Sequence, residues 1–189
     1  MFKQMAYQKM ILFAALVLSS IALMYSLGFA TDLYSLNYHS DSSSSLLYVE
    51  GAELYNQIQP FNRALLQYAT ILFGLCMTLF MTLTHRRRLY YATNYITTIA
   101  FSGYTAFLGT TLLLNALHAK QQYLAIDFKQ VKEVTDMLNI RYVKSTFMLD
   151  LGMLLSIAHY LLVAGLIINL VWKTANMNKE KRQMRGADE

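Results

Sequence analysis

Four long runs of apolar residues, separated by polar segments, dominate the hydrophobic pattern of the chain. They extend from Ile11 to Phe29, Ala64 to Leu83, Tyr95 to Leu117 and Phe147 to Val171. Each run meets or comes close to the ~20 apolar residues that a helix needs to cross ~30 Å of hydrocarbon. The pattern predicts an all-α fold, a polytopic membrane protein built as a four-transmembrane-helix bundle.

The composition supports a single membrane domain over residues 1–189. The chain is 56% hydrophobic, which a bundle in lipid requires and which would make a soluble domain of this size prone to aggregate. The four spans use roughly half of the chain. The remainder forms two outer loops, 30–62 and 118–146, a short turn, an N-terminal tail and a C-terminal tail at 172–189.

The first apolar run could also be interpreted as a secretory signal. Lys3 and Lys9 precede it, and Gly28, Phe29 and Ala30 resemble a cleavage site. The apolar core of a signal is usually about 7–15 residues long, however, and this run is nearer to the length of a span. We therefore expect a retained first helix.

The distribution of lysine and arginine predicts the orientation. Both tails and the turn between the second and third runs carry ten of these residues, whereas the opposite side carries six: Arg63, directly after the first outer loop, and five in the second. The sharpest signal is the turn itself, with Arg86, Arg87 and Arg88 in succession. We expect both termini and this basic turn to be cytoplasmic. Since the chain has no Asn-x-Ser/Thr sequon and no pair of outer cysteines, a bacterial plasma membrane is the preferred location.

The two outer loops differ in their predicted structure. The first is predicted to contain a short helix from about Leu46 to Ile58, followed by Pro60 just before the second span. The second contains an amphipathic stripe at three- and four-residue spacing, which predicts a helix of about five turns outside the membrane. The candidate partner-contact residues of this stripe are Leu124, Phe128, Val131 and Leu138. The stripe could cover the first loop, the bilayer surface or a partner.

Polar residues near the outer membrane border form the candidate site, because ionisable groups at that depth are costly. In an antiparallel bundle Asp150 reaches a height similar to that of Asn115, His118 and Gln67. We expect Asp150 to form a hydrogen bond with Asn115 or His118. A proton- or cation-sensitive site is the functional interpretation, and a satisfied carboxylate at the interface is the favoured one.

His159 and Cys76 lie within spans and suggest cofactor chemistry. A bis-imidazole haem needs a second histidine at similar depth, and the sequence places none there. Cys76 is the only cysteine, which excludes an intrachain disulfide, a CxxC redox pair and a thiolate zinc site. We expect no cofactor or metal, and we expect His159 to form a hydrogen bond within the bundle or at a subunit contact.

The sequence lacks the common motifs of phosphate binding, metalloprotease and hydrolase activity. The chain has no glycine-rich phosphate loop, no HExxH and no GxSxG. The net charge of +5 comes from clusters that flank the spans, which argues against nucleic acid as a partner.

The sequence favours a non-catalytic accessory, assembly or regulatory subunit of a larger membrane complex, with a transport system as the favoured kind. Its partners would be the lipid bilayer and other membrane-protein subunits, in a hetero-oligomer rather than a homo-oligomer. The alternatives are a self-assembling four-helix channel or small transporter, and a membrane enzyme that acts on a lipid or quinone.

Overall fold

The structure, a computed structural model, describes residues 2–36, 50–83, 91–129, 132 and 144–185. Four long helices account for most of these residues: α1 (Phe2–Gly28), α2 (Glu50–Leu83), α3 (Tyr91–Ala125) and α4 (Phe147–Arg185). A short 3-10 helix, Thr31–Leu36, follows α1. All four long helices are long and apolar enough to cross a membrane. The prediction of an all-helical fold with four candidate spans is confirmed.

The helices form a ring in which each one packs mainly against two neighbours. α1 contacts α2 and α4, and α3 contacts the same two helices. Side-chain contacts show that α1 and α4 are antiparallel, because Gln4 bonds to Asn169 while Tyr25 bonds to Met148. We call the end where α1 begins and α4 ends the termini end. The opposite end, where α1 ends and α4 begins, is the loop end.

The spacing of charged residues along three helices matches the thickness of a bilayer. Residues 10–31, 64–85 and 151–172 are intervals of 22 residues without a lysine, arginine or acid. A helix of that length rises about 33 Å, close to the ~30 Å of a hydrocarbon core. Large apolar side chains point outward from these intervals, among them Phe13 (66% exposed) and Leu27 (68% exposed). The lateral surface is therefore apolar.

Glycines allow close contact between helices inside the ring. A Cβ atom added at Gly109 on α3 would lie 3.1 Å from the Cβ atom of His159 on α4. One added at Gly152 would collide with the hydroxyl of Tyr25, and one added at Gly165 with the terminal methyl of Ile11. α4 therefore approaches both α1 and α3 through positions without side chains, as is typical of helix pairs that associate in lipid.

The prediction that the helix in the first loop is separate from the second span is wrong, although residues 50–58 are helical as expected. α2 runs without interruption from Glu50 to Leu83 and includes Pro60. The proline ring removes one hydrogen bond, the one to the carbonyl four residues earlier, at Asn56. Both Pro60 and Asn56 are exposed, so this carbonyl lies on the outer side of the helix. Leu54 and Ile58 are buried, and residues 46–49 lie outside the described residues.

The amphipathic helix expected in the second loop lies largely outside the described residues and stays a prediction. α3 ends at Ala125, and Ile126 and Asp127 are not helical. Leu124 is 55% exposed, whereas the ring of Phe128 packs 5.2 Å from the ring of Tyr123. Within this stripe, Val131 and Leu138 fall outside the part of the chain that the structure describes.

Candidate functional site

An ion pair joins α3 to α4 at the loop end. Lys120 Nζ lies 2.5 Å from Asp150 Oδ1, and the Thr146 hydroxyl donates to Asp150 Oδ2 at 2.8 Å. The side chains of Lys120 and Asp150 are 28% and 45% exposed. Asp150 also lies in the first turn of α4, where a negative charge is favoured by the partial positive charge of the helix N-terminus.

The first residues of α4 are held by three other elements. The Met148 N–H donates to Asp32 Oδ2 in the 3-10 helix at 2.6 Å. The Met148 carbonyl accepts from the Tyr25 hydroxyl of α1 at 2.7 Å. The Ser145 N–H donates to the Tyr123 hydroxyl of α3 at 3.1 Å. The bond to Asp32 satisfies an N–H group that the first turn of a helix leaves without an intrahelical partner, and the three bonds together fix the loop end.

The partner expected for Asp150 differs from the one observed. Asn115 donates to the Thr111 carbonyl of its own helix at 2.8 Å, and His118 and Gln67 are exposed. Asp150 is paired with Lys120 instead. The reason is helical register. The α3 positions that face α4 include Gly109, Ala116 and Lys120, which follow one another at seven- and four-residue spacing. Asn115 and His118 fall outside that row.

A lysine is buried at the termini end. Lys173 is only 8% exposed, and its Nζ lies 2.5 Å from Asn94 Oδ1 on α3. The Asn94 side-chain amide in turn donates to the Thr82 hydroxyl of α2 at 3.1 Å. Lys173 Nζ also lies 4.9 Å from the centre of the Tyr95 ring, a cation–π geometry. We call Lys173, Asn94, Thr82 and Tyr95 the buried-lysine network. It connects three helices.

A second polar contact at the termini end joins α1 to α4. Gln4 donates to Asn169 Oδ1 at 3.0 Å, and both side chains are buried. The Tyr7 hydroxyl donates to the Gly165 carbonyl at 3.2 Å, and its ring lies 5.9 Å from that of Trp172. Paired amides in lipid typically contribute about 0.6 kcal/mol. The contact fixes the register of α1 against α4.

The buried positions of Lys173 and Asn169 are not among the sequence predictions, because Lys173 belongs by composition to the basic C-terminal tail. The sequence of α4 does contain a pattern that indicates their burial. Leu162, Leu166, Asn169 and Lys173 follow one another at four-, three- and four-residue spacing, which is the period of a single helix face. The first two are buried leucines, so the face continues into the two polar positions that the structure buries.

His159 lies in the interior, far from either end of α4. It is fully buried, and its Nδ1 lies 2.7 Å from the Leu155 carbonyl oxygen. A carbonyl oxygen can only accept, so Nδ1 carries the proton and Nε2 presents a lone pair. Among the described residues, Nε2 has no hydrogen-bond partner, and no group of three or more His, Cys, Asp or Glu side chains could hold a metal ion. Cys76 is buried in α2.

The arrangement as a whole serves helix–helix contact. The polar side chains of the buried-lysine network and of the Gln4–Asn169 pair each bond across helices. Several buried hydroxyls bond back to a carbonyl of their own helix, as Thr105 does to Phe101 and Ser156 to Gly152. Comparison of the chain with known protein families, with curated proteins and with solved structures gives no match.

Proposed function

We propose that the chain crosses a membrane with all four helices and acts as a non-catalytic accessory, assembly or regulatory subunit of a larger membrane complex, with a transport system as the favoured kind. Insertion of the helices into a membrane is supported by the length of their charge-free intervals and by the apolar lateral surface of the bundle. The buried-lysine network and the Gln4–Asn169 pair hold the helices of the bundle together, and the apolar lateral surface is the region where a partner would bind.

The observation that carries the proposal is the contrast between two sets of glycines. Gly109, Gly152 and Gly165 face neighbouring helices of the same chain, and a Cβ atom there would press on a side chain. Gly74 on α2 and Gly103 on α3 face open space: outside the adjacent backbone of their own helices, no atom of the described residues lies within 4 Å of an added Cβ. Positions that admit a helix backbone are thus present on the outer surface as well as in the interior.

On α2 the open position belongs to a row of small residues. Thr70, Gly74 and Thr78 recur at four-residue spacing, and all three are exposed. We call them the α2 small-residue face. Both threonine hydroxyls bond to carbonyls of their own helix, at Leu66 and Gly74, so they add little polarity to the surface. In lipid, helices associate through such faces because the hydrophobic effect no longer drives them together. The face suits the helix of a partner subunit.

The subunit role is tested by filling the α2 small-residue face. Gly74→Leu places a large side chain where a partner helix would approach, so the amount of partner that co-purifies in mild detergent should fall at least tenfold. Ala14→Leu is the matched control, since Ala14 is an exposed small residue on α1. It should leave co-purification unchanged. Equal recovery of the partner with Gly74→Leu would contradict the proposal.

Native mass spectrometry of the same preparations separates this role from its main alternative. A hetero-oligomer that loses a different protein on Gly74→Leu supports an accessory subunit. A homo-oligomer that dissociates on the same substitution supports a self-assembling channel or small transporter, because the α2 small-residue face would equally accept a second copy of this chain.

The proposed location is a bacterial plasma membrane with both termini and Arg86, Arg87 and Arg88 on the cytoplasmic side. In a Cys76→Ala background, Lys132→Cys should react with a membrane-impermeant thiol reagent in intact cells, and Lys179→Cys should react only after lysis. The reverse pattern would overturn the orientation. Removal of Cys76 leaves the introduced thiol as the only one in the chain.

A further inference from the structure

α4 continues as a helix after it leaves the bundle. Near residue 177 it still contacts α3, where the Tyr95 hydroxyl lies 2.9 Å from the Thr174 hydroxyl and 3.7 Å from Met177 Sδ. We call residues 178–185 the C-terminal extension of α4. The side chains that the structure describes in this segment are all exposed: Asn178, Lys179, Lys181, Arg182 and Gln183.

The exposed cations of this extension share one side of the helix. At 100° per residue, Lys179, Lys181 and Arg182 fall within an arc of about 160°. The centre of this arc points almost opposite to Lys173, whose side chain faces the bundle. Lys179 and Arg182 are three residues apart, a spacing at which like charges destabilise a helix by a few tenths of a kcal/mol. An anionic surface would remove that repulsion.

The distance of these cations from the membrane distinguishes a lipid surface from an acidic protein surface. This step rests on the membrane insertion proposed above. The charge-free interval of α4 ends at Trp172. Lys181 and Arg182 follow nine and ten residues later, about 14–15 Å along the helix. The headgroup layer on one side of a bilayer is only about 5–8 Å thick. Both cations therefore extend past the lipid phosphates, by a distance comparable to the ~8 Å over which physiological salt screens a charge.

Among its described side chains, the extension also lacks the apolar stripe that would let it lie in the membrane surface. Interfacial helices bury one apolar face among the headgroups, whereas the five side chains described in this extension are all polar or charged. A helix that is polar on its exposed sides and directed away from the bilayer is suited to contact another protein.

We propose that the C-terminal extension of α4 docks, through Lys179, Lys181 and Arg182, on an acidic protein surface on the same side of the membrane. The matching partner presents aspartate or glutamate side chains along a helix or groove of about two turns. This contact would be separate from the α2 small-residue face, which lies within the bilayer. The same partner subunit could be held at both places.

The test uses the full chain in nanodiscs of phosphatidylcholine and a defined probe, a fluorescent glutamate-rich helical peptide. Fluorescence anisotropy should show binding that weakens steeply with salt. The double variant Lys181→Gln with Arg182→Gln should weaken binding at least tenfold. The matched control, Lys3→Gln with Lys9→Gln, removes the same charge from two exposed lysines of α1 and should change binding less than twofold.

Three results would overturn the proposal. Equal losses in the two double variants would mean that the peptide senses only net charge. Loss of peptide binding in nanodiscs that contain phosphatidylglycerol would mean that lipid headgroups hold the extension. Failure of the chain to float with vesicles after a carbonate wash would show that it is not inserted in a membrane, so the distance from the membrane to Lys181 and Arg182 would have no meaning. This outcome alone also contradicts the proposed function.

Discussion

The two ends of the bundle hold a lysine between α3 and α4 in different ways. At the loop end, Lys120 faces the carboxylate of Asp150, and both side chains are partly exposed. At the termini end, Lys173 is 8% exposed and faces the amide oxygen of Asn94 and the ring of Tyr95. Formal charge alone would make the ion pair the stronger contact. Exposure reverses that order, because solvent screens an exposed ion pair until it contributes only about 0–1 kcal/mol to stability. The buried contact of Lys173 is therefore expected to be the stronger one.

The two ends also differ in what they stabilise. At the loop end, the bonds from Asp32, Tyr25 and Tyr123 go to backbone groups near the start of α4. At the termini end, three of the bonds join side chains on different helices, whereas the bond from Tyr7 goes to a backbone carbonyl, that of Gly165. We infer that the loop end tolerates replacement of its charged side chains, whereas the termini end depends on the identity of its buried polar residues.

The largest effect is expected from Asn94→Leu. This change removes the acceptor of the buried Lys173 cation and the donor to Thr82, so the free energy of unfolding should fall by about 1.5–3 kcal/mol, the range for a hydrogen bond to a charged group. Denaturant titration in detergent measures it. Thr93→Leu, at the exposed neighbouring position, should change stability by less than ~0.5 kcal/mol. A similarly small change for Asn94→Leu would show that the two ends do not differ.

An intermediate effect is expected from the glycines through which α4 meets α1. In Gly152→Ala the new methyl collides with the Tyr25 hydroxyl, which its bond to Met148 holds in place. Overpacking of this kind costs about 1–3 kcal/mol, partly offset by the ~1 kcal/mol that alanine gains over glycine in a helix.

Gly165→Ala provides the comparison at the termini end. Its methyl meets the terminal methyl of Ile11, which can rotate away. Thermal unfolding should therefore show a loss for Gly152→Ala and no loss for Gly165→Ala. Equal losses would mean that the hydroxyl bond of Tyr25 does not restrict that side chain.

The smallest effect is expected from the ion pair at the loop end. A double-mutant cycle of Lys120→Met and Asp150→Asn should give a coupling energy below ~1 kcal/mol, and added salt should reduce it further. The Thr146 hydroxyl can still donate to the amide oxygen of the asparagine variant, so Asp150→Asn alone should be nearly neutral. A coupling energy that is large and independent of salt would contradict the comparison.

The spans could be predicted from the sequence because their signal is local. Twenty or so apolar residues in succession fulfil the length requirement of a bilayer whatever their neighbours are. The helix through Pro60 could not be predicted in the same way. A proline usually marks a helix boundary, and the outcome depends on which carbonyl loses its partner and whether that carbonyl faces outward.

The partners of polar side chains were the least predictable part of the candidate site. Asp150 was placed at the correct end of the bundle, near Asn115 and His118, because depth follows from position along a helix. Its pairing with Lys120 depends on how α3 is rotated about its axis, and Gly109 and Ala116 set that rotation by packing against α4. A rotation of one residue, 100°, would present a different set of side chains.

By itself, the sequence determined the four apolar segments at the centre of the helices, since these follow from hydrophobicity and from the spacing of charges, but α2 begins well before its segment and α4 ends well after its own. Only the tertiary structure decided which polar groups meet. Lys173 belongs to the basic tail by composition and to the buried interior by position, because the helix face that carries Leu162 and Leu166 continues to it. Burial is a property of neighbouring helices, and the helix that covers Lys173 lies about eighty residues away along the chain.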